Sequence, residues 1–278
     1  MSQVGKAWKV FYQAGNLTWY DPTSFSVEHL QRLARSEWIT RMLRGAGLEP
    51  GPHLSVLEAG CGTGQFAIAL ALAGCNVRAF DYNEEALEIA RYLANKVTAA
   101  GHKIALELYR DDLLVPQAPS ASYDLVFNQA VLEYFCVEAE RKRAIKAMVR
   151  LARPGGWVGA IVQHTGHSFG RLWKSLGWQG YLNQPALSIY TPGEFAHELR
   201  QCGLFQVRVD GIYPWKAFFW PPWYRRWKWT HDAVYLLGQA LHRGVPLPRT
   251  IRCRLAMQIL GIGRKPETDE TRKTPIHE

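Results

Sequence analysis

Five apolar runs, at 54–59, 75–81, 103–109, 123–129 and 157–163, punctuate the first 163 residues, and each is rich in Val, Leu, Ile, Phe, Ala or Tyr. Short, nearly continuous apolar runs bounded by glycine, proline or acidic residues predict strands buried on both faces. Between them the spacing of apolar positions turns helical at 64–73, 83–100 and 136–152. Strand and helix in alternation predict an α/β fold, a doubly wound parallel sheet. Thr191-Pro192-Gly193-Glu194 then opens a further helix to Cys202, with proline in its first turn and Gly203 as its stop, ahead of an apolar run over 204–212.

The first predicted strand runs directly into Glu58-Ala59-Gly60-Cys61-Gly62-Thr63-Gly64, and the next helix starts at once. Glycines at 60, 62 and 64 allow left-handed backbone angles and let backbone N–H groups approach a ligand closely, as a nucleotide-type cofactor cradle requires. A dinucleotide fingerprint starting at Gly60 would need glycine at 65, where this chain has Gln65. The second strand ends at Asp81, where an acidic side chain is placed to accept hydrogen bonds from both hydroxyls of a ribose.

With Glu58 included, the glycine run resembles motif I of the class I methyltransferases that use S-adenosylmethionine. The resemblance continues through Asp81 and Tyr82 to Arg110-Asp111-Asp112, which is similar to the family's Gly-Asp-Ala segment with Arg in place of glycine. It implies that Asp111, or its neighbour Asp112, meets the adenine amino group. The run from Tyr123 to Tyr134, which includes Asn128, resembles the fourth strand and the loop lining the methyl-transfer site. Leu151-Ala152-Arg153-Pro154-Gly155-Gly156-Trp157 resembles the Leu-x-Lys-Pro-Gly-Gly turn before strand five. These ordered matches over 54–163 imply a seven-stranded Rossmann-like methyltransferase sheet whose last strand is antiparallel, paired with its predecessor as a hairpin. They also imply S-adenosyl-L-methionine as cofactor and S-adenosyl-L-homocysteine as product. Trp19-Tyr20-Asp21-Pro22, Thr191-Pro192-Gly193-Glu194-Phe195 and Gly211-Ile212-Tyr213 add a weaker similarity to quinone-biosynthesis O-methyltransferases.

Such a cofactor carries an activated methyl group, so the protein chiefly aligns a nucleophile, excludes water and, for a hydroxyl acceptor, removes a proton. Glu133, Tyr134, His164 and His167 are the candidate bases. Glu133-Tyr134 falls where many small-molecule members carry Glu-His, and His164 and His167 lie at and beyond the end of strand five. Each has a plainer reading, a helix cap for Glu133 and solvated loop positions for the histidines. A metal site on His164-x-x-His167 is not supported, since no Cys or carboxylate stands at a fitting distance in the sequence.

The 278 residues, 47% apolar, suffice for one main domain with additions. An aromatic amino-terminal cap of helices over 1–50 precedes the core at 51–213, and a lid insertion at 164–190 interrupts it. A Trp-rich basic extension at 214–263 and a mobile tail at 264–278 follow. Trp19, Tyr20, Trp173 and Tyr190 are the expected acceptor contacts, an aromatic lining that suits a small, largely apolar molecule. Residues 216–278 hold twelve Lys or Arg against five Asp or Glu, a net +7 of the chain's +9. Tryptophan interleaved with these cations over 215–229 suits an anionic membrane surface, with nucleic acid, as in an RNA methyltransferase, the rival partner. An inactive cofactor-binding subunit that scaffolds a complex is a further alternative. Five scattered cysteines without a C-x-x-C pair, and no apolar run of bilayer-spanning length, lead to the expectation of a reducing cytoplasm, with peripheral membrane contact. Oligomeric state has no signature in the sequence.

Overall fold

The computed structural model describes residues 25–164, 166–168, 171–172, 190–214, 237, 241 and 247–267. Two helices come first, α1 (Val27–Ala34) and α2 (Glu37–Ala46), followed by β1 (Ser55–Ala59), α3 (Gln65–Leu72), β2 (Asn76–Asp81), α4 (Glu84–Ala99) and β3 (Ala105–Arg110). Next are β4 (Tyr123–Gln129), a 3₁₀ turn (Leu132–Tyr134), α5 (Glu138–Leu151) and β5 (Ala152–Gln163). The described chain ends with α6 (Pro192–Gln201), β6 (Phe205–Ile212), α7 (Arg249–Leu255) and β7 (Gln258–Arg264).

These strands form one seven-stranded sheet in the order β3-β2-β1-β4-β5-β7-β6. Strands β1 to β5 pair in parallel, and β7 runs antiparallel to both β5 and β6. The order reverses between β1 and β4. In such sheets the crevice outside the carboxyl ends of the strands at that switch is where ligands bind.

Each face of the sheet carries its own core. On one side α5 and α6 bury Ile145, Met148, Leu151, Phe195 and Leu199 against Val126 and Val158. On the other, α2, α3 and α4 bury Ile39, Met42, Leu70 and Leu87 against Val56, Val77, Phe127 and Ile161. The end of α2 is fixed by Gly47, in the left-handed region at φ 65°, and the start of α6 by a capping box between Thr191 and Glu194. Strand β3 is an edge, half exposed and carrying Glu107 and Arg110, charges that discourage pairing with another chain.

The seventh strand comes from a stretch that the sequence pattern assigns to the carboxyl-terminal extension. Gln258–Arg264 lies between β5 and β6, and residues 213–257 separate it from β6, so the two antiparallel partners are not joined by a short turn. Its glycines conceal it. A Cβ at Gly261 would lie 2.7 Å from Leu199 Cδ1, and one at Gly263 would lie 2.9 Å from Leu204 Cβ. Close approach of α6 and the turn after it therefore demands glycine where a strand ordinarily carries Val or Ile. The segment expected to be a tail begins inside this strand: Arg264 Nε donates to Gly155 O at 2.9 Å, and 268–278 lie outside the described residues.

Candidate active site

The cradle is built where β1 ends. Gly60, Gly62 and Gly64 have φ of 81°, 52° and 72°. An added Cβ would stand 2.9 Å from Val131 Cγ2 at Gly60 and 2.8 Å from Ala90 Cβ at Gly64. Both left-handed angles and close packing thus require glycine here. The N–H groups of Gly60 and Cys61 both donate to Phe80 O at 2.8 Å, and Gly62 N–H donates to Asp81 Oδ2 at 2.8 Å. Asp81 Oδ1 accepts Asn83 N–H at 2.8 Å. Burial pushes the Asp81 carboxyl above its usual range, opposed by the N–H groups of Asn83, Gly62 and Tyr82.

Glu58 is 2% exposed under this turn, and its Oε2 has no hydrogen-bond partner. Burial raises its pKa well above the usual value, and the nearby Asp81 adds to the rise. Asn83, which the motif reading overlooked, is 4% exposed; its Oδ1 caps α4 by accepting Glu85 N–H at 2.9 Å, and its Nδ2 is buried without a partner. The sequence signal for it is Asn followed by two glutamates at a helix start.

The flanking sites differ. Asp111 accepts Asp112 N–H and Gln117 N–H, each at 2.9 Å, so both its oxygens shape their own loop. Asp112 is exposed, and its Oδ1 accepts Leu114 N–H. Tyr82 is half-buried beside Asp81, its carbonyl accepting Arg110 Nε–H at 3.2 Å. Asn128 does not join the cradle through its side chain: it is fully buried beneath α5, with Nδ2 3.2 Å from Met148 Sδ.

At the end of β4 the chain turns through Ala130, at φ 55° a left-handed non-glycine residue of the kind concentrated at functional sites. The 3₁₀ turn that follows places Glu133 at 0% exposure, with no well-formed hydrogen bond on either carboxyl oxygen among the described residues and only the weak approach of two backbone N–H groups. Burial pushes its pKa from 4.5 to about 8, against weaker opposing help from its own N–H and that of Gln163. Glu133 is therefore mostly a neutral acid at pH 7. Tyr134 is half-buried, and burial together with Glu133 raises its pKa.

Beside this turn, His164 and His167 follow β5, 4% and 3% exposed, with ring centroids 6.1 Å apart. Neither is the solvated loop histidine of the plain reading. Burial lowers the pKa of both, to about 4 for His167, where His164 and Arg171 add to the effect. His164 keeps more basicity because its Nδ1 lies 3.1 Å from Ala256 O, a bond that favours the protonated ring.

Tyr190 belongs to a different assembly. Its hydroxyl donates to Glu198 Oε2 at 2.6 Å, Arg141 Nε donates to both Glu198 oxygens at 3.0 Å, and the Arg141 guanidinium stacks 5.3 Å above the Tyr190 ring. The expected acceptor contact is thus a buried tie between α5 and α6. Trp19, Tyr20 and Trp173, like the 215–229 segment, lie outside the described residues.

A glycine cradle with an acidic pair under and beside it, at the switch of a sheet ending in an antiparallel strand, defines a methyltransferase site. The family model described as "Methyltransferase domain" matches residues 57–160. The chain belongs to the class I S-adenosylmethionine-dependent methyltransferases, and S-adenosylmethionine is its cofactor. It is 34% identical over 204 residues to a ubiquinone biosynthesis O-methyltransferase of Bordetella avium, covering 70% of this chain and 78% of the relative. Among solved structures it resembles magnesium protoporphyrin IX methyltransferase from Synechocystis with bound S-adenosylhomocysteine, at TM-score 0.57 and 17% identity over 92% of this chain and 96% of that one. The [4+2]-cyclase SpnF is as similar in fold, at TM-score 0.58 and 16% identity over 96% and 97%. Fold alone therefore does not choose the reaction.

Proposed function

We propose that this methyltransferase acts on an oxygen of a small, largely apolar acceptor, with His164 as the base that takes the hydroxyl proton. The observation that carries the reading is His164, buried at the end of β5 with its Nδ1 3.1 Å from Ala256 O, in the stretch that follows the switch strands. A hydroxyl needs such a base, whereas a neutral amine can attack first and lose its proton later. The name of the Bordetella relative, an O-methyltransferase of ubiquinone biosynthesis, supports oxygen over nitrogen.

S-adenosylmethionine supplies the activated methyl group. Gly60, Gly62 and Gly64, whose N–H groups are taken by Phe80 O, Asp81 Oδ2 and Cys61 O, would shape the turn against it, Asp81 would accept from its ribose, and Tyr82 and the Asp111–Asp112 loop would flank its adenine. The orphaned Glu58 Oε2, an acceptor without a donor under the turn, fits a ligand rich in donors. Within the reading, Glu133 as a neutral acid donates a hydrogen bond to the acceptor, and His164 Nε2 receives the proton that the acceptor oxygen sheds.

Methyl transfer from labelled donor to hydroxyl acceptors tests this. His164→Ala should lower kcat by about 10²-fold or more while leaving donor affinity unchanged. Full kcat in that variant removes the base. The acceptor's source is read as an anionic membrane surface met by the Trp- and Arg-rich segment 215–229. Flotation with phosphatidylglycerol vesicles should be lost when the Arg and Trp residues of that segment are replaced by Ser; salt-sensitive RNA binding in place of flotation would favour the RNA reading.

A further inference from the structure

His164 is gripped by two successive carbonyls of the turn entering β7. Its N–H donates to Met257 O at 2.7 Å, and its Nδ1 lies 3.1 Å from Ala256 O. A carbonyl oxygen only accepts, so the neutral ring carries its hydrogen on Nδ1 and leaves Nε2 as the proton-accepting atom. Among the described residues no hydrogen-bond donor occupies Nε2, which lies beside Gly166, where an added Cβ would be 3.7 Å away.

The direction of the Ala256 carbonyl is set in turn by α7. Ala256 is fully buried at the end of that helix, and its N–H donates to Arg252 O at 2.9 Å. A helix of seven residues does not hold itself together. This one is clamped to β6. Arg252 Nε and Nη2 donate to Asp210 Oδ1 and Oδ2 at 2.8 and 2.5 Å, its Nη1 donates to Leu247 O, and Arg249 Nε donates to Val209 O at 2.6 Å. Arg41 Nη1 of α2 closes the cluster on Asp210 Oδ2 at 2.9 Å. The backbones meet so tightly that a Cβ at Gly211 would lie 2.8 Å from Ala256 Cβ and overlap the Arg252 carbonyl.

We propose that α7, clamped by Asp210 and Gly211, is a positioning device that aims the Ala256 carbonyl at His164 Nδ1 and so fixes Nε2 as the proton acceptor. Asp210, Gly211 and Arg252 are positioning residues that act through Ala256, and the proposal deepens the reading of His164 as base. The charged and titratable groups that act on the ring are His167 and Arg171 from the loop beyond β5. Neither supplies a carbonyl to Nδ1.

Two-bond ¹H–¹⁵N spectra of the full chain with ¹⁵N-labelled histidine test this at neutral pH, the His164 signal being assigned by its loss in His164→Gln. The wild type should show a protonated Nδ1 and a bare Nε2. In Asp210→Ala and Gly211→Ala the Nε2–H form preferred by free imidazole should appear, and kcat should fall about 10- to 100-fold at unchanged donor KM. Arg252→Lys, which loses the two-pronged bond and keeps the charge, should fall between. A wild-type His164 carrying its hydrogen on Nε2 overturns the proposal, and that spectrum decides even if the variants fail to fold. Folded variants that keep the Nδ1–H form overturn it equally. A tautomer change with kcat intact would leave the positioning device standing and remove the reading of His164 as base.

Discussion

The N–H of Gly62 donates to Asp81 Oδ2 at 2.8 Å, joining the glycine turn after β1 to the acidic end of β2. The two halves of the cradle are therefore one unit, and the Asp81 that shapes the turn is the residue proposed to accept from the ribose. Asp81→Asn replaces one accepting oxygen with an N–H₂ that confronts an N–H. That should cost about 1–3 kcal/mol of donor binding, so calorimetry should give a Kd raised about 5- to 150-fold. An unchanged Kd would take Asp81 out of the site.

Gly64 closes the turn at φ 72°, against α4. Gly64→Ala should destabilise the fold by about 1–3 kcal/mol through overpacking against Ala90, with about 1 kcal/mol more for a left-handed alanine. Adding Ala90→Gly should restore only the packing part in urea unfolding. Complete recovery would show that the backbone angle costs nothing here.

What the sequence made legible follows from how local each signal is. The strands β1 to β4, the turn at Gly60–Gly64 and the Thr191 cap are each specified within a few residues and lie, to within two residues, where their patterns predict, whereas β5 starts at Ala152, inside the stretch read as a turn before it. Strand β7 is specified by distant partners. Gly261 and Gly263 are small because of Leu199 and Leu204, and the arginines of α7 count only toward the basic charge of the carboxyl-terminal extension until Asp210 is seen beneath Arg252. Tyr190 misleads for the same reason: its aromatic ring suits a lid, but its hydroxyl is spent on Glu198, and no local pattern reports that pair.

Removing that hydroxyl separates the two roles. Tyr190→Phe should lose about 1–2 kcal/mol of stability, since Glu198 keeps Arg141 but loses its shortest donor. The acceptor KM should not move. A raised acceptor KM with unchanged unfolding would return Tyr190 to the acceptor pocket.

Glu133 provides the strongest test, because the same burial acts on stability and on chemistry. The unfolded chain releases this proton near its ordinary value of 4.5, whereas the folded chain holds it up to about 8. Between those values the folded state binds more protons, so this group's contribution to stability is fully present below 4.5 and declines until about pH 8. Glu133→Gln cannot ionise and lacks that decline. Its Tm, measured against wild type in parallel scans, should therefore gain steadily as pH rises through this window and level off above it. Parallel Tm curves would mean that Glu133 is charged in the folded protein. On the chemical side, Glu133→Leu fills the same buried space without a donor or an acceptor, so kcat should fall while donor KM stays constant. If kcat survives the loss of both oxygens, the carboxyl is buried for a reason other than methyl transfer.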